Sequence, residues 1–578
     1  MRRFLLLLPS LLLLSAPYVA FGQERSDFYA ERLYVATDKG SYIAGEALWA
    51  SVFCLDAQTR GLSSLSNVAY VELCDDQKPV WQGKAALRDG RGSLRLLLPS
   101  ELPTGNYWLR AYTRYMQNEG EEVFFSRVIS IYNVLHAEKT TGTAVAGESV
   151  SAPESASAPE FAASVMEISH LELQVSSTTL SPRTPFTVSL ENPGEEWAYF
   201  ALSVHALDVL GAASHPILAG YSQSMPAKQS FSDKYMVDYE GEIVYGHVTG
   251  LASTPLGFGS KAYLSVVGSP AQPVEGRIDS DGWVSFYTPG FYGVKDVATE
   301  IFPLPQQSLQ IVLENSFADY TPKPLPSLLL YPDTEASLLK RGLGMQLGHT
   351  FFLDTLHVPQ TPFMHQLLFG RNTEYKLDHY TRFPRMREVI TEFVTEARVR
   401  SLNGRDVLMV RLFDGFGKYY YENIKALVLF DGVPVFDHER VLNFDPLLVE
   451  RITVYDGLYS TGTAVHYGIV DFKTYKGNLS GLSFPESVRI TSFDGLQYPL
   501  RFKGPEYDAS HRALDPQFAN LPDWRHSLYW DGDLRLQAGE KRDIVCHTSD
   551  YTGDFVVVIE GLTASGKAFY QTEIFKVQ

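Results

Sequence analysis

Residues 427–477 read LVLFDGVPVFDHERVLNFDPLLVERITVYDGLYSTGTAVHYGIVDFKTYKG. Three apolar pieces stand out in this run: 427–430, 451–455 and 469–472. Each is short and rich in Val, Ile, Leu or Phe, which reads as a strand. Asp431-Gly432 follows the first piece and Asp456-Gly457 follows the second. Asp-Gly reaches positive φ at low cost, so both pairs predict tight turns. Asp445-Pro446 opens the segment 446–449, which suits one helical turn because proline is tolerated at a helix start. No catalytic pattern lies in the run.

Just upstream, Met386, Val389, Ile390, Phe393 and Val394 fall at i, i+3, i+4, i+7 and i+8. That spacing predicts a helix over 385–395 with one apolar face, and Pro384 suits its first turn. The face would rest on strands 407–412, 427–430 and 451–455. This order of strand, Asp-Gly-Val-Pro, short helix and Glu-Arg-Ile-x-Val resembles the plug domain of TonB-dependent outer-membrane receptors. The matching residues are Asp431, Gly432, Val433, Pro434, Glu450, Arg451, Ile452, Val454, Gly457, Gly468, Ile469 and Thr474. The resemblance covers residues 371–480. It implies an α+β domain, a Gram-negative envelope and a protein partner there, with an outer-membrane barrel among the candidates. Only about 100 residues follow, too few for the many strands of a barrel, so a detached plug-like domain is expected and not a receptor.

Residues 27–133 alternate in strand fashion between turn signals, as a β-sandwich does. Their start, Leu33 to Glu46, resembles the entry motif of macroglobulin-type domains through Thr37, Asp38, Lys39, Tyr42, Gly45 and Glu46. Gly40 and Ala44 stand where that motif has prolines. Residues 102–113 resemble the closing strands of the same domain, with Tyr107, Leu109 and Ala111 on one strand face. Residues 136–164, rich in Ala, Ser, Thr, Glu and Pro, predict a flexible linker, with a protease bait as the other reading. Residues 167–230 resemble the opening of a second macroglobulin-like sandwich. Residues 235–315 resemble a carboxypeptidase-regulatory-like sandwich. There, Asp279-Ser-Asp-Gly282 reads as a hairpin turn, since the later acids of a calcium loop are missing. Residues 316–370 predict a connecting segment with a helix near 334–347, and 485–578 a C-terminal β-sandwich. The expected fold class is multidomain and mainly β: tandem immunoglobulin/macroglobulin-like β-sandwiches plus one α+β plug-like domain.

The chain opens with Arg2 and Arg3, an apolar run over 4–14, and small Ala20 and Gly22. Residues 1–22 therefore predict a cleaved secretory signal peptide; the run is short for a membrane anchor. Its removal takes the formal charge from −18 to −20. That acidity argues against nucleic-acid binding. No later stretch predicts a transmembrane helix. Cys54 and Cys74 could pair if their strands are neighbours, or be small buried hydrophobes. The metalloprotease, serine-hydrolase and phosphate-loop motifs are absent, as is the thioester motif of macroglobulins. No catalytic, cofactor-binding or metal-ligating residue is nominated. The expected role is a non-enzymatic exported scaffold or binding module beside an outer-membrane transport or secretion partner. Surface adhesion is the alternative, and a hydrolase with an unrecognised site comes third. Binding would fall to loops such as 435–443 and 458–467.

Overall fold

The computed structural model describes residues 29–146, 170–207, 210, 217–227, 232–250, 260–268, 273–302, 309–351, 357–359 and 371–578. The expected signal peptide and the centre of the Ala/Ser/Pro/Glu segment lie outside the described residues. The molecule is mainly β, and no described helix is long and apolar enough to cross a membrane.

The first sandwich packs a three-stranded sheet (Glu31–Thr37, Ala47–Asp56, Arg91–Leu97) on a five-stranded one (Ser41–Ile43, Phe125–Tyr132, Gly105–Tyr112, Val68–Cys74, Pro79–Ala86). Tyr107, Leu109 and Ala111 do share the buried side of their strand. Cys54 and Cys74 lie in different sheets, and all three cysteines are buried and unpaired.

The second sandwich differs from expectation. Its three-stranded sheet joins Glu172–Val175 and Pro185–Glu191 to Lys541–His547. Its five-stranded sheet sets Ala198–Ala206 between Ser527–Leu536 and Gly553–Thr563, with Ala568–Val577 and Thr179–Leu180 beyond. Residues 170–206, from the expected 167–230 sandwich, and 527–578, from the expected 485–578 sandwich, are thus halves of one sandwich. The physical reason is strand number: 170–207 alone offers too few strands to bury Phe200, Leu202 and Val204, which share their core with Phe555, Val557 and Ile559 on the next strand and with Ile544 and Cys546 of the other sheet. Residues 207–526 are inserted between two strands that are direct neighbours.

The third unit is a seven-stranded sheet around Val244, Leu264, Phe286 and Ile301. Its boundary also moves, because Arg489–Asp494 adds to the edge strand Val294–Phe302. Lys84 of the first sandwich is buried against this unit. Its Nζ donates to both oxygens of Glu242 at 2.7 and 2.9 Å, and to the Asp494 carbonyl at 2.7 Å.

The expected linker is ordered at its start. Asn133 Oδ1 accepts from the N–H groups of Leu135 and His136, and Thr143–Val145 pairs in parallel with Leu328–Leu330. The proline-rich segment after 316 is likewise pinned to the first sandwich. Arg110 donates to the Ala318 and Asp319 carbonyls, and Trp108 Nε1 donates to the Pro324 carbonyl. Helix Glu335–Phe351 then bridges the two sandwiches. Gly342 sits against Val134 of the first, and Lys340 Nζ donates to the Thr552 carbonyl of the second.

The unit expected to be plug-like has a five-stranded sheet ordered Asn372–Lys376, Val449–Thr461, Ala464–Thr474, Leu427–Phe430, Val433–Pro434. Helix Met386–Phe393 forms where the apolar spacing places it. Met386, Val389 and Ile390 are buried with Leu408, Val428, Phe430 and Ile452. The other face of the sheet meets the third unit, where Phe436 stacks on Phe302 at 3.9 Å.

Candidate interaction surface

The residues of the macroglobulin-like motif form a junction and leave no open site. The Tyr42 hydroxyl donates to Asp38 Oδ1 at 2.7 Å, and the Trp49 N–H donates to the same oxygen at 3.0 Å. Thr37 Oγ1 donates to the Lys39 carbonyl at 2.8 Å. Lys39 Nζ and Arg341 both reach Glu46 Oε2, at 3.0 and 2.8 Å. Burial opposes the Glu46 charge, but Arg341 and then Lys39 outweigh it and hold this carboxyl at about 2. Ser203 and Ser527 of the second sandwich donate to the carbonyl and carboxylate of Asp38. Gly45, at φ +97°, lets the chain turn beneath His349 and Met345 of the bridging helix. The motif therefore joins the two sandwiches and that helix.

The residues of the expected plug-like motif are also spent on architecture. Asp431 (φ +46°) and Gly432 (φ +85°) make the expected two-residue turn between paired Phe430 and Val433. The Asp431 carboxylate accepts from the Thr474 N–H, the Thr474 hydroxyl and the Leu479 N–H, at 2.8, 2.7 and 2.9 Å. Val433, Pro434, Ile452, Val454 and Ile469 are buried. Arg451 pairs with Glu374 on the edge strand at 3.2 Å.

The second expected turn is absent, because Val449–Thr461 is one continuous strand. Asp456 and Gly457 together oppose Gly468, a β-bulge, and Glu450 is the extra residue of a second bulge. Gly468 is required on two counts: its φ is +82°, and a Cβ would lie 2.4 Å from that of Val410. The real turn is at Gly462, where Glu275 of the third unit accepts from Thr463 and Ala464. Segment 458–467 is thus a docked hairpin tip. Segment 435–443 holds helix His438–Leu442, and buried His438 accepts from the Leu408 N–H at 3.0 Å. Neither is a free binding loop.

The open surface lies instead on residues 411–424. Leu412 and Phe413 pair with Tyr420 and Tyr419 in a short hairpin beside strand Val449–Thr461. Asp414 Oδ1 closes the tip by accepting from the Phe416 and Lys418 N–H groups, at 2.7 and 3.0 Å. Gly415 and Gly417, at φ +81° and +98°, flank Phe416; a Cβ on either would meet no atom within 4 Å. The tip therefore projects into open space, and Phe416 is 94% exposed. Tyr419, Tyr420 and Ile424 are exposed around it.

Guanidinium groups cover the aromatic faces of this surface. Arg371 lies over Phe413 and Tyr419, Arg411 over Tyr419, and Arg398 3.4 Å from the centre of Tyr421. The cations face out and their carboxylates sit behind them. The Arg371 side chain is 52% exposed and its partner Asp456 4%; Arg411 is 36% exposed and Glu396 13%. The signal available in the sequence was Gly-Phe-Gly after Asp414, an apolar side chain between two residues suited to a turn.

A second concavity of about 500 Å³ lies between the two sandwiches and the strap 497–502. Arg91, Arg501, Phe502, Trp530, Asp531 and Asp533 line it. Arg91 pairs with Asp533 across it. Among the described residues, no group of His, Cys, Asp and Glu could hold a metal ion.

No protein-family profile matches the sequence, and no curated protein matches it. Among solved structures, Escherichia coli alpha-2-macroglobulin activated by porcine elastase aligns at 9% identity and TM-score 0.24, over 95% of this chain and 44% of that one. Salmonella alpha-2-macroglobulin reacted with methylamine aligns at 9% identity and TM-score 0.23, over 95% and 39%. The Escherichia coli adhesin FdeC aligns at 12% identity and TM-score 0.15, over 50% and 65%. This chain spans less than half the length of those macroglobulins. The fold assignment stands on the sheets described above.

Proposed function

We propose that this chain is a non-enzymatic, exported scaffold of a Gram-negative envelope. In this reading its macroglobulin-like sandwiches hold a plug-like domain toward an outer-membrane partner. The carrying observation is the contrast within the plug-like unit. Most of its motif residues are buried in the fold, while the 411–424 hairpin exposes Phe416, Tyr420 and Ile424 and carries arginines over Tyr419 and Tyr421. Exposed Phe, Tyr and Arg on a rigid support are the residue types that dominate interfaces. The residue types of the export signal, Arg2, Arg3 and the apolar run after them, support delivery across the inner membrane.

The test is affinity capture from solubilised envelope membranes, using the whole chain and a chain lacking 371–480. The expected result is a membrane-protein partner bound by the first and lost by the second. Capture that survives the deletion, or recovery of the native protein in the cytosol, overturns the reading.

A further inference from the structure

We propose that the Phe416 hairpin is a bilayer contact: it seats in the headgroup layer of a phospholipid surface. Three features point to lipid as what the Phe416 tip itself meets, beside the membrane-protein partner proposed above. The first is shape. Phe416 stands alone at a projecting tip between two glycines with open space on both sides. A protein hot spot is usually the centre of a broad packed patch, whereas a soft interface accepts a lone protruding ring.

The second is the vertical order of chemistry along the hairpin. The tip is apolar. Tyr419 and Tyr420 come next, each an apolar ring with a polar end, and Arg371 and Arg411 lie beside them. Aromatic rings at headgroup depth with cations at phosphate depth are how proteins anchor at membrane surfaces.

The third is charge. The chain carries −18 overall, yet this corner turns Arg371, Arg411 and Lys418 outward. The nearby carboxylates are engaged: Asp456 lies behind Arg371, Glu396 beside Arg411, and Asp414 closes its own turn. Among the described residues of the hairpin, Glu422 is exposed on the returning segment and opposes the contact. Lipid phosphates are the anions a bilayer offers at the depth of these guanidinium groups.

The contact rests on the envelope reading above only in placing the chain near a membrane. The experiment is co-flotation of the purified chain with vesicles of phosphatidylethanolamine and phosphatidylglycerol, against vesicles of phosphatidylcholine alone. The chain is expected to float with the anionic vesicles and to be released by added salt. Phe416→Ser is expected to weaken binding roughly tenfold or more, the loss of one buried aromatic ring. Lys418→Glu should weaken it further. Val545→Ser, which alters an exposed apolar residue of the second sandwich, should leave it unchanged.

Because Phe416 is almost fully exposed, its replacement leaves the fold intact. Absence of flotation, or flotation indifferent to Phe416→Ser, overturns the proposal. A photo-reactive residue at 416 that labels only protein in whole envelopes also overturns it. Vesicle binding is measured without any partner, so its failure leaves the scaffold reading standing. Conversely, partner capture that ignores residues 371–480 leaves the lipid contact standing.

Discussion

Glu46 carries the charge on which the meeting of two sandwiches and a helix depends. Its carboxylate takes Lys39 and Arg341 in a site where the Arg341 side chain is 1% exposed. Removing Arg341 takes away the stronger partner and leaves buried Glu46 with Lys39 alone, so Arg341→Leu should cost up to about 3 kcal/mol in denaturant unfolding. The pH arm has a definite sign. Glu46 sits at about 2 when folded against an ordinary value of 4.5. Its contribution is fully present above about 4.5 and is lost as pH falls through the folded value. Buried Asp471 and Glu300, each held up to about 7 by burial, contribute with the opposite slope. The readout is therefore the difference between wild type and Glu46→Gln. That difference should shrink between pH 5 and pH 2; a difference flat across that range would show that the charge of Glu46 does not stabilise the junction.

At the scale of elements, legibility followed the range of the interactions. Helix Met386–Phe393 and the Asp431-Gly432 turn were readable, because spacing and turn chemistry are local. The Asp456-Gly457 pair misled, because the same residues that favour a turn also suit a bulge, and the partner strand decides between them. At the Phe416 tip, Asp414 with Gly-Phe-Gly marks a turn, but whether the ring is buried or exposed depends on neighbours far along the chain. Helix Glu335–Phe351 shows the same dependence on neighbours through its glycines. Alanine gains up to about 1 kcal/mol over glycine in a helix interior. Gly348 has nothing within 4 Å of a new Cβ, so Gly348→Ala should stabilise by about that amount. At Gly342 the new Cβ would lie 2.6 Å from Val134 Cγ2, and overpacking of about 1–3 kcal/mol outweighs the gain. Thermal unfolding of the two variants should shift in opposite directions; equal shifts would mean that the helix does not press on the first sandwich.

At the scale of the molecule, local sequence pattern lays the domains out as beads in order, and the structure is nested. Nothing in residues 170–207 announces that their sheet partners lie beyond residue 526, since pairing at that separation leaves no local trace. The two halves meet where the insertion leaves and returns: the Ala206 N–H donates to the His526 carbonyl at 2.9 Å. A single chain of 170–207 joined to 526–578 by a short Gly/Ser link therefore has every strand of the second sandwich and closes a gap of hydrogen-bond length. Closing so short a link costs little entropy, while the core of Phe200, Leu202, Val204, Phe555 and Ile559 is retained. This joined chain should fold alone and unfold cooperatively, with Phe200→Ala costing about 3–5 kcal/mol as in a packed core. Residues 485–578 by themselves should remain unfolded, because Lys541–His547 would lack Pro185–Glu191 and Ser527–Leu536 would lack Ala198–Ala206. Dispersed amide spectra for 485–578 alone, or a disordered joined chain, would restore the beads-in-order arrangement and leave Asp38, Ser203 and Ser527 without a reason to meet.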